Sequence, residues 1–386
     1  MIKNNFYSDL FEKDKVASAY KRLQLSFNNE TIFQSDKKLD GFNKVYQQTL
    51  VPSYLDVTLD PSLQAQNIFN KKGYAIRVRE IDNIDTYLKK HAGNNFKKNT
   101  LRSLRRLEQC FNISYTMFFG DIESETHSIL MEKLISMIKA RFQEREGKNR
   151  VIENWDYYTD IAYHLINKKK ASLFVIYSDD SPIEISLNFH QGSIMYSAIS
   201  SFDLNFHKFS LGNIEIYRQL EWCLENDISL FDMGYGSFDY KIKWSNFIYD
   251  LNTQVITTKK GFLSKLYVHF LKAKYKSVDY LIKTGTVDTI RHFVSFIKKN
   301  DHKENSQTDY TLKPINEDEF NNANKIEVSC LQTPYVQKPL YEFLFSQSEH
   351  INNVKIFQIK NQKNLFIFKS PNKKIQLSFV KNSQFK

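Results

Sequence analysis

The stretch LFVIYSDDSPIEISLNFHQGSIMYSAIS, residues 173–200, decides the fold. Leu173–Tyr177 is apolar, Asp179-Asp180-Ser181-Pro182 is turn material, and Ile183–Phe189 alternates apolar with polar side chains. Gln191-Gly192 then turns the chain into Ser193–Ser200. A period of two between tight turns predicts three consecutive strands in an antiparallel meander. Upstream, the 3.6-residue period of Ile129, Leu130, Leu134, Met137, Ile138 and Phe142 predicts a helix over 126–146, and 153–167 is a further helix candidate. Before them, KKNTLRSLRRLEQ (97–109) reads as a basic helix with Leu101, Leu104 and Leu107 on one narrow apolar face. Downstream come a loop (203–210), a helix (211–226) with Ile214, Ile216, Leu220 and Leu224, a short strand (228–233), a short helix around 240–244 and a strand near 253–258.

Two segments carry candidate chemistry. Lys208-Phe209-Ser210-Leu211-Gly212-Asn213 leads straight into a helix. A helix start presents unpaired N–H groups and partial positive charge, which suits a pyrophosphate. Gly212 allows close backbone approach, and Ser210 can cap the helix or donate to phosphate. The second segment, Asp232-Met233-Gly234-Tyr235-Gly236, looks like the D-x-G-x-G loop of S-adenosylmethionine-dependent methyltransferases. Phe238 stands where the third glycine of that pattern belongs, and no acid follows at ribose-binding distance.

Taken together these motifs resemble a GNAT-fold family described as acetyltransferases involved in cellulose biosynthesis, relatives of the Fem peptidoglycan transferases. Its pattern has a basic helix ahead of the domain, then F-x-K-[YF]-S-P-G opening a helix, matched by Phe206, Lys208, Phe209, Ser210 and Gly212. It closes with D-[FL]-G-x-G-[DE]-x-x-Y-K-x-x-W, matched at Asp232, Gly234, Gly236, Tyr240, Lys241 and Trp244. Leu211 departs from the proline of the pattern and Ser237 from its acid. The resemblance implies an α+β GNAT acyltransferase fold over 96–258: a mixed, mostly antiparallel sheet with two splayed central strands (193–202 and 228–233), flanking helices, and additions at both ends.

It also implies an acyl-CoA co-substrate between those strands, touching Ala198, Ile199, Ser200, Lys208, Phe209, Ser210, Leu211, Gly212 and Asn213. Acyl transfer needs a base for the acceptor, donors for the oxyanion and an acid for the thiolate. Glu184 and Asp232 are candidate bases and Tyr240 or Tyr235 the acid. Tyr196, Tyr235, Lys241 and Trp244 are candidate substrate contacts, and no metal is expected. Each has a plainer reading: Glu184 facing solvent, Asp232 capping a turn, Tyr240 and Trp244 in the core, Lys241 pairing with Asp232.

The remaining chain is less specific. Residues 1–95 form an N-terminal α/β region, with a partial second GNAT-like unit as the alternative. Residues 259–300 read as basic amphipathic helices, 301–308 as a linker, and 309–386 as a small α+β unit with strands near 354–358, 364–368 and 375–380. The net charge of +11 favours anionic partners. Three scattered cysteines form neither a zinc set nor a disulfide framework. The first residues lack an apolar signal core, so a cytoplasmic protein is expected, with anionic membrane contact through 259–283. The acceptor is expected to be an amine or amino sugar, an envelope or exopolysaccharide precursor. The competing functions are a degenerate scaffold binding an anionic ligand or partner, a Fem-like transferase using an aminoacyl-tRNA donor, and a basic nucleic-acid binder, for which no reading helix or aromatic platform is present.

Overall fold

The computed structural model describes residues 2–37, 45–143, 150–236, 239–258, 310–330 and 333–379, with scattered positions between 267 and 277. The membrane-contact expectation for 259–283, the 301–308 linker and Ser237 fall outside the described residues, those scattered positions aside.

Residues 2–77 form six strands: β1 (Ile2–Asn5), β2 (Tyr20–Leu25), β3 (Thr31–Gln34), β4 (Tyr46–Pro52), β5 (Leu55–Leu59) and the long β6 (Leu63–Arg77). Then follow α1 (Ile84–His91), α2 (Asn94–Cys110), β7 (Ile113–Phe118), α3 (Ser124–Gln143), α4 (Arg150–Glu153) and α5 (Trp155–Asn167). The expected meander is β8 (Ala171–Ser178), β9 (Ser181–Gln191) and β10 (Ile194–Phe202). After it come α6 (Leu211–Glu225), β11 (Leu230–Tyr235), α7 (Asp239–Trp244) and β12 (Phe247–Thr258). The C-terminal part holds β13 (Tyr310–Pro314), α8 (Glu317–Asn322), β14 (Lys325–Val328), α9 (Gln337–Gln347), β15 (Lys355–Ile359), β16 (Leu365–Lys369) and β17 (Lys374–Phe379).

A nine-stranded sheet in the order β1-β4-β12-β6-β11-β10-β9-β8-β7 forms the body of the molecule. Its pairs are antiparallel except β1–β4 and β10–β11. This is the mixed, mostly antiparallel α+β sheet anticipated from the motif order. β6 lies between β12 and β11, so residues from the N-terminal region and from 194–258 complete the same sheet. Five antiparallel strands, β13-β17-β16-β15-β14, make the C-terminal sheet, adding β13 and β14 to the three expected.

The apolar periodicity of α2 is used as its sequence predicts: Leu104 and Leu107 are buried. Its basic side is not wholly solvated, since the Arg106 guanidinium donates to the Phe345 carbonyl and lies 4.7 Å from that ring's centroid on α9. α9 also packs on the turn before α6. Tyr341 meets Phe206 (4.7 Å) and Phe111 (5.0 Å), Phe345 meets Phe209 (5.1 Å), and His207 pairs with Glu342 (2.9 Å). No helix among the described residues is long and apolar enough to cross a membrane.

Candidate active site

β10 and β11 run parallel but stay paired at only three positions, Ile194 with Leu230, Met195 with Phe231 and Tyr196 with Asp232. Beyond Tyr196, β10 continues to Phe202 along β9, while β11 continues to Tyr235 beside β6. Two adjacent strands that each find another partner must separate, and a slot opens between them. The β9–β10 register shifts between Ser197 and Ile199, so Ala198 sits at a bulge with no partner on β9. A bulge leaves backbone groups outside the ladder, facing the slot instead of a neighbouring strand.

The slot is a cavity of about 390 Å³. β10 contributes Ser197, Ala198 and Ser200, β11 contributes Phe231 and Met233, and α6 closes it with Ser210, Leu211, Gly212, Asn213 and Glu215. Tyr240 and Lys241 of α7 and Arg141 of α3 line the same cavity. Ser210, the residue before α6, adopts a left-handed conformation (φ 55°, ψ 47°) and makes no side-chain cap. The capping role expected of it is therefore absent, and its exposed hydroxyl lies on the slot. The first backbone bonds into α6 run from Asn213 and Ile214 to the Ser210 carbonyl, so the N–H groups of Leu211 and Gly212 precede the helical ladder. A Cβ built on Gly212 would meet nothing within 4 Å. The helix start is open to a ligand.

Of the residues expected around the donor, Ala198, Ser200, Ser210, Leu211, Gly212 and Asn213 line the slot. Ile199, Lys208 and Phe209 do not. Ile199 is buried on the other side of the bulge's alternation, Lys208 points to solvent, and Phe209 is packed into the aromatic cluster with α9.

The candidate acid–base residues fall into two groups. Glu184, a candidate base, is fully buried, which removes the plainer reading of a solvent-facing side chain. Its carboxyl faces that of Glu215, and apart from that neighbour neither of its oxygens has a hydrogen-bond partner. Glu215 accepts from Ser186 Oγ (2.8 Å) and Gln219 Nε2 (2.9 Å). Burial, and then the neighbouring Glu215, pushes Glu184 well above the usual carboxylate range. Burial raises Glu215 to about 7 against the hydrogen bonds that lower it. Among the described residues no cation pairs with either carboxyl, and two carboxyl groups in contact favour a state in which at least one of them holds a proton. Only Glu215 of the two lines the slot.

Asp232 belongs to the opposite face of β11, away from the slot. Tyr7 (2.5 Å) and Tyr54 (2.9 Å) donate to its Oδ2, while Tyr249 (2.6 Å) and the Gly234 N–H (2.7 Å) donate to Oδ1. Burial raises its pKa against those hydrogen bonds. A carboxylate that already accepts four hydrogen bonds is a fastener of the strand ends and poorly placed to abstract a proton. Gly234 itself is required by its φ of 70°, with the Tyr196 ring 3.2 Å from where a Cβ would be.

Lys241 does not pair with Asp232: its ammonium donates to the carbonyls of Met233 (2.6 Å) and Tyr235 (2.9 Å). Trp244 is fully buried, with its indole N–H on Asn213 Oδ1 (3.0 Å), so it pins the first turn of α6 to α7 instead of contacting a ligand. Tyr240 is 42% exposed on the slot, its hydroxyl pushed up to about 12, by burial first and then by the Glu215 charge. Tyr235 is exposed beyond the end of the slot, and Tyr196 turns away from it at the strand vertex. Among the described residues no group of His, Cys, Asp or Glu is arranged to hold a metal ion.

Glu215 escaped the motif comparison. Its signal was nevertheless in the helix, because it stands four residues after Leu211 and four before Gln219, on the stripe that α6 buries.

Residues 94–242 match the family described as "Acetyltransferase (GNAT) domain". The chain thus contains a GNAT-type acetyltransferase domain, and the splayed strands and the open helix start lie within it. Solved structures similar to it include FemX (10% identity, 57% of this chain and 74% of that one, TM-score 0.41). A conserved protein of unknown function from Bacteroides thetaiotaomicron VPI-5482 is also similar (9% identity, 55% and 70%, TM-score 0.38). So is the C-terminal domain of a putative lysylphosphatidylglycerol synthetase from Agrobacterium fabrum (9% identity, 58% and 71%, TM-score 0.36). No curated protein matches the chain.

Proposed function

We propose that this protein is an N-acyltransferase that takes an acyl-CoA donor in the slot between β10 and β11 and passes the acyl group to an amine acceptor. The observation that carries this reading is the open start of α6 at the mouth of the slot, where nothing stands within 4 Å of a Cβ placed on Gly212. Backbone N–H groups at a helix start hold a pyrophosphate by hydrogen bonds and by the helix dipole. The bulge at Ala198 offers backbone donors where a thioester carbonyl would develop negative charge. Glu215, sharing a proton with Glu184, lies along the same slot and supplies that proton to the departing thiolate, with the Tyr240 hydroxyl beside it.

The acceptor suggested by the sequence motifs, an amino sugar or related envelope precursor, remains part of this proposal. So do acyl-CoA as the donor rather than an aminoacyl-tRNA, and a cytoplasmic site of action with peripheral contact to anionic membrane.

Calorimetric titration with acetyl-CoA, followed by mass-detected transfer across an amino-sugar panel, tests the reading. Saturable binding is expected. With an accepted amine, kcat should fall as pH rises through about 7, because the acid acts in its protonated form. Glu215→Gln should lower kcat by about 100-fold and remove that alkaline limb, with a smaller change in KM for the donor. Absence of binding by any acyl-CoA, or an unchanged pH profile in the variant, contradicts the proposal.

A further inference from the structure

A serine directly before a helix ordinarily takes extended backbone and caps it, its hydroxyl accepting the N–H of the second or third helical residue. Ser210 does neither. Its φ of 55° and ψ of 47° place it in the left-handed region, which is costly for a residue that carries a Cβ, and its side chain makes no cap. Such a residue persists only where its surroundings hold it, and residues held in this way gather at ligand clamps.

The hold on Ser210 comes from the C-terminal part of the chain, through α9. Along the short helical turn Leu204–Phe209, Asn205 Nδ2 donates to Gln337 Oε1 (3.1 Å) and the Phe206 ring meets Tyr341 (4.7 Å). His207 Nε2 pairs with Glu342 (2.9 Å), and the Phe209 ring meets Phe345 edge to face (5.1 Å). Gln337, Tyr341 and Phe345 recur at i, i+4 and i+8, so one stripe of α9 follows the whole turn. On the other side of Ser210, Leu211 and Ile214 are buried in the same core as Leu340, Phe343 and Leu344. The backbone is thus fixed against α9 both before and after the left-handed residue. α9 is itself fastened to the C-terminal sheet through Phe343 and Phe368 (5.9 Å), and to α2 through the Cys110 thiol on the Leu344 carbonyl (3.4 Å). No residue of α9 lines the slot.

We propose that α9 is a positioning element for the donor: by gripping Asn205, Phe206, His207 and Phe209 it keeps Ser210 left-handed and uncapped, and so keeps the first N–H groups of α6 free for a phosphate. The inference rests on the donor lying in the slot. Released from α9, Ser210 relaxes to extended backbone, and its hydroxyl takes the N–H of Gly212 or Asn213 as an ordinary cap. The start of α6 then has two states, one uncapped and open to the donor, the other capped and closed. The C-terminal part of the chain selects the first. The coupling is reciprocal, so a donor that binds only the uncapped state also strengthens the hold of α9 on the turn, without touching α9.

Calorimetric titration with acetyl-CoA and carbon-13 NMR of selectively labelled serine, both on the full chain, test the assignment. Tyr341→Ala combined with Glu342→Ala should lower acetyl-CoA affinity at least about tenfold. Adding Ser210→Gly to that pair should restore most of the loss, because glycine takes left-handed backbone freely and has no hydroxyl to cap with. A loss caused by general weakening of the fold would not be recovered by a glycine. Without ligand, the Ser210 carbon shifts, assigned by their absence in Ser210→Gly, should move from left-handed to extended values in the paired variant. Should that variant unfold, Gln337→Ala with Glu342→Ala, which cuts only partly exposed contacts, carries the same expectation at about threefold. Unchanged affinity, a loss that Ser210→Gly does not restore, or unmoved Ser210 shifts overturns the proposal. Wild type that binds no acyl-CoA, with Ser210 shifts that still depend on α9, would remove the donor reading and leave the hold of α9 on the turn standing.

Discussion

Gly212→Glu should abolish acetyl-CoA binding without harming the fold. The new side chain enters open space, so no neighbour has to move. Glutamate replaces the poorest helix former apart from proline, a gain of roughly 0.5–1 kcal/mol, and places an acid in the first turn, where the helix dipole favours it by roughly 0.3–1 kcal/mol. The same carboxylate then occupies the seat offered to the pyrophosphate and repels it. Affinity for acetyl-CoA should fall at least about 100-fold, equivalent to about 2.8 kcal/mol. Calorimetry and a thermal melt on one preparation check both halves. Wild-type affinity in this variant would show that the start of α6 does not hold the donor.

The second large effect is on stability against pH. Burial holds Glu184 and Glu215 above the ordinary carboxylate value, so protonation favours the folded state. Their contribution is fully present below the unfolded value of 4.5 and is lost as pH rises through about 7. Between about pH 5 and about pH 8 the unfolding free energy should drop by about 3 kcal/mol on account of Glu215 alone. Asp232, also raised by burial, acts in the same direction. Glu184→Gln leaves one titrating group where there were two and supplies an amide donor to Glu215. It should flatten the profile and raise stability at about pH 8. Denaturant unfolding at both pH values measures this, and a profile that rises across the window would refute the proton-sharing pair.

Most strands and helices of 97–258 were legible because each carries its own local signal; β7 (Ile113–Phe118), a short edge strand, was not anticipated. β8 is a continuous apolar run and β9 and β10 alternate, all between tight turns, while α3, α5 and α6 repeat at helical spacing. The N-terminal strands were not legible in the same way. β6 pairs with β12 and β11, partners lying far along the chain, and nothing local in residues 63–72 announces them. The slot could be anticipated because its signal is local: a glycine at a helix start and a strand ending in Asp-x-Gly-x-Gly. Asp232 was visible as a motif residue, yet its tyrosine partners at 7, 54 and 249 meet only in three dimensions. Trp244 matched the motif but serves packing, since a buried indole bonded to Asn213 looks the same in sequence as one facing a ligand.

The position of β6 sets the smallest unit that can fold. The span 94–242 that matches the acetyltransferase family ends before β12 and begins after β6. A fragment cut to that span would present β11 as a bare edge, with Asp232 stripped of the Tyr7, Tyr54 and Tyr249 hydroxyls that hold its charge. An ionised carboxylate left without donors beside an unpaired strand invites aggregation. The acetyltransferase-type domain is therefore completed by both ends of its sheet, and insertions are best tolerated at exposed hairpin turns such as Asp179-Asp180.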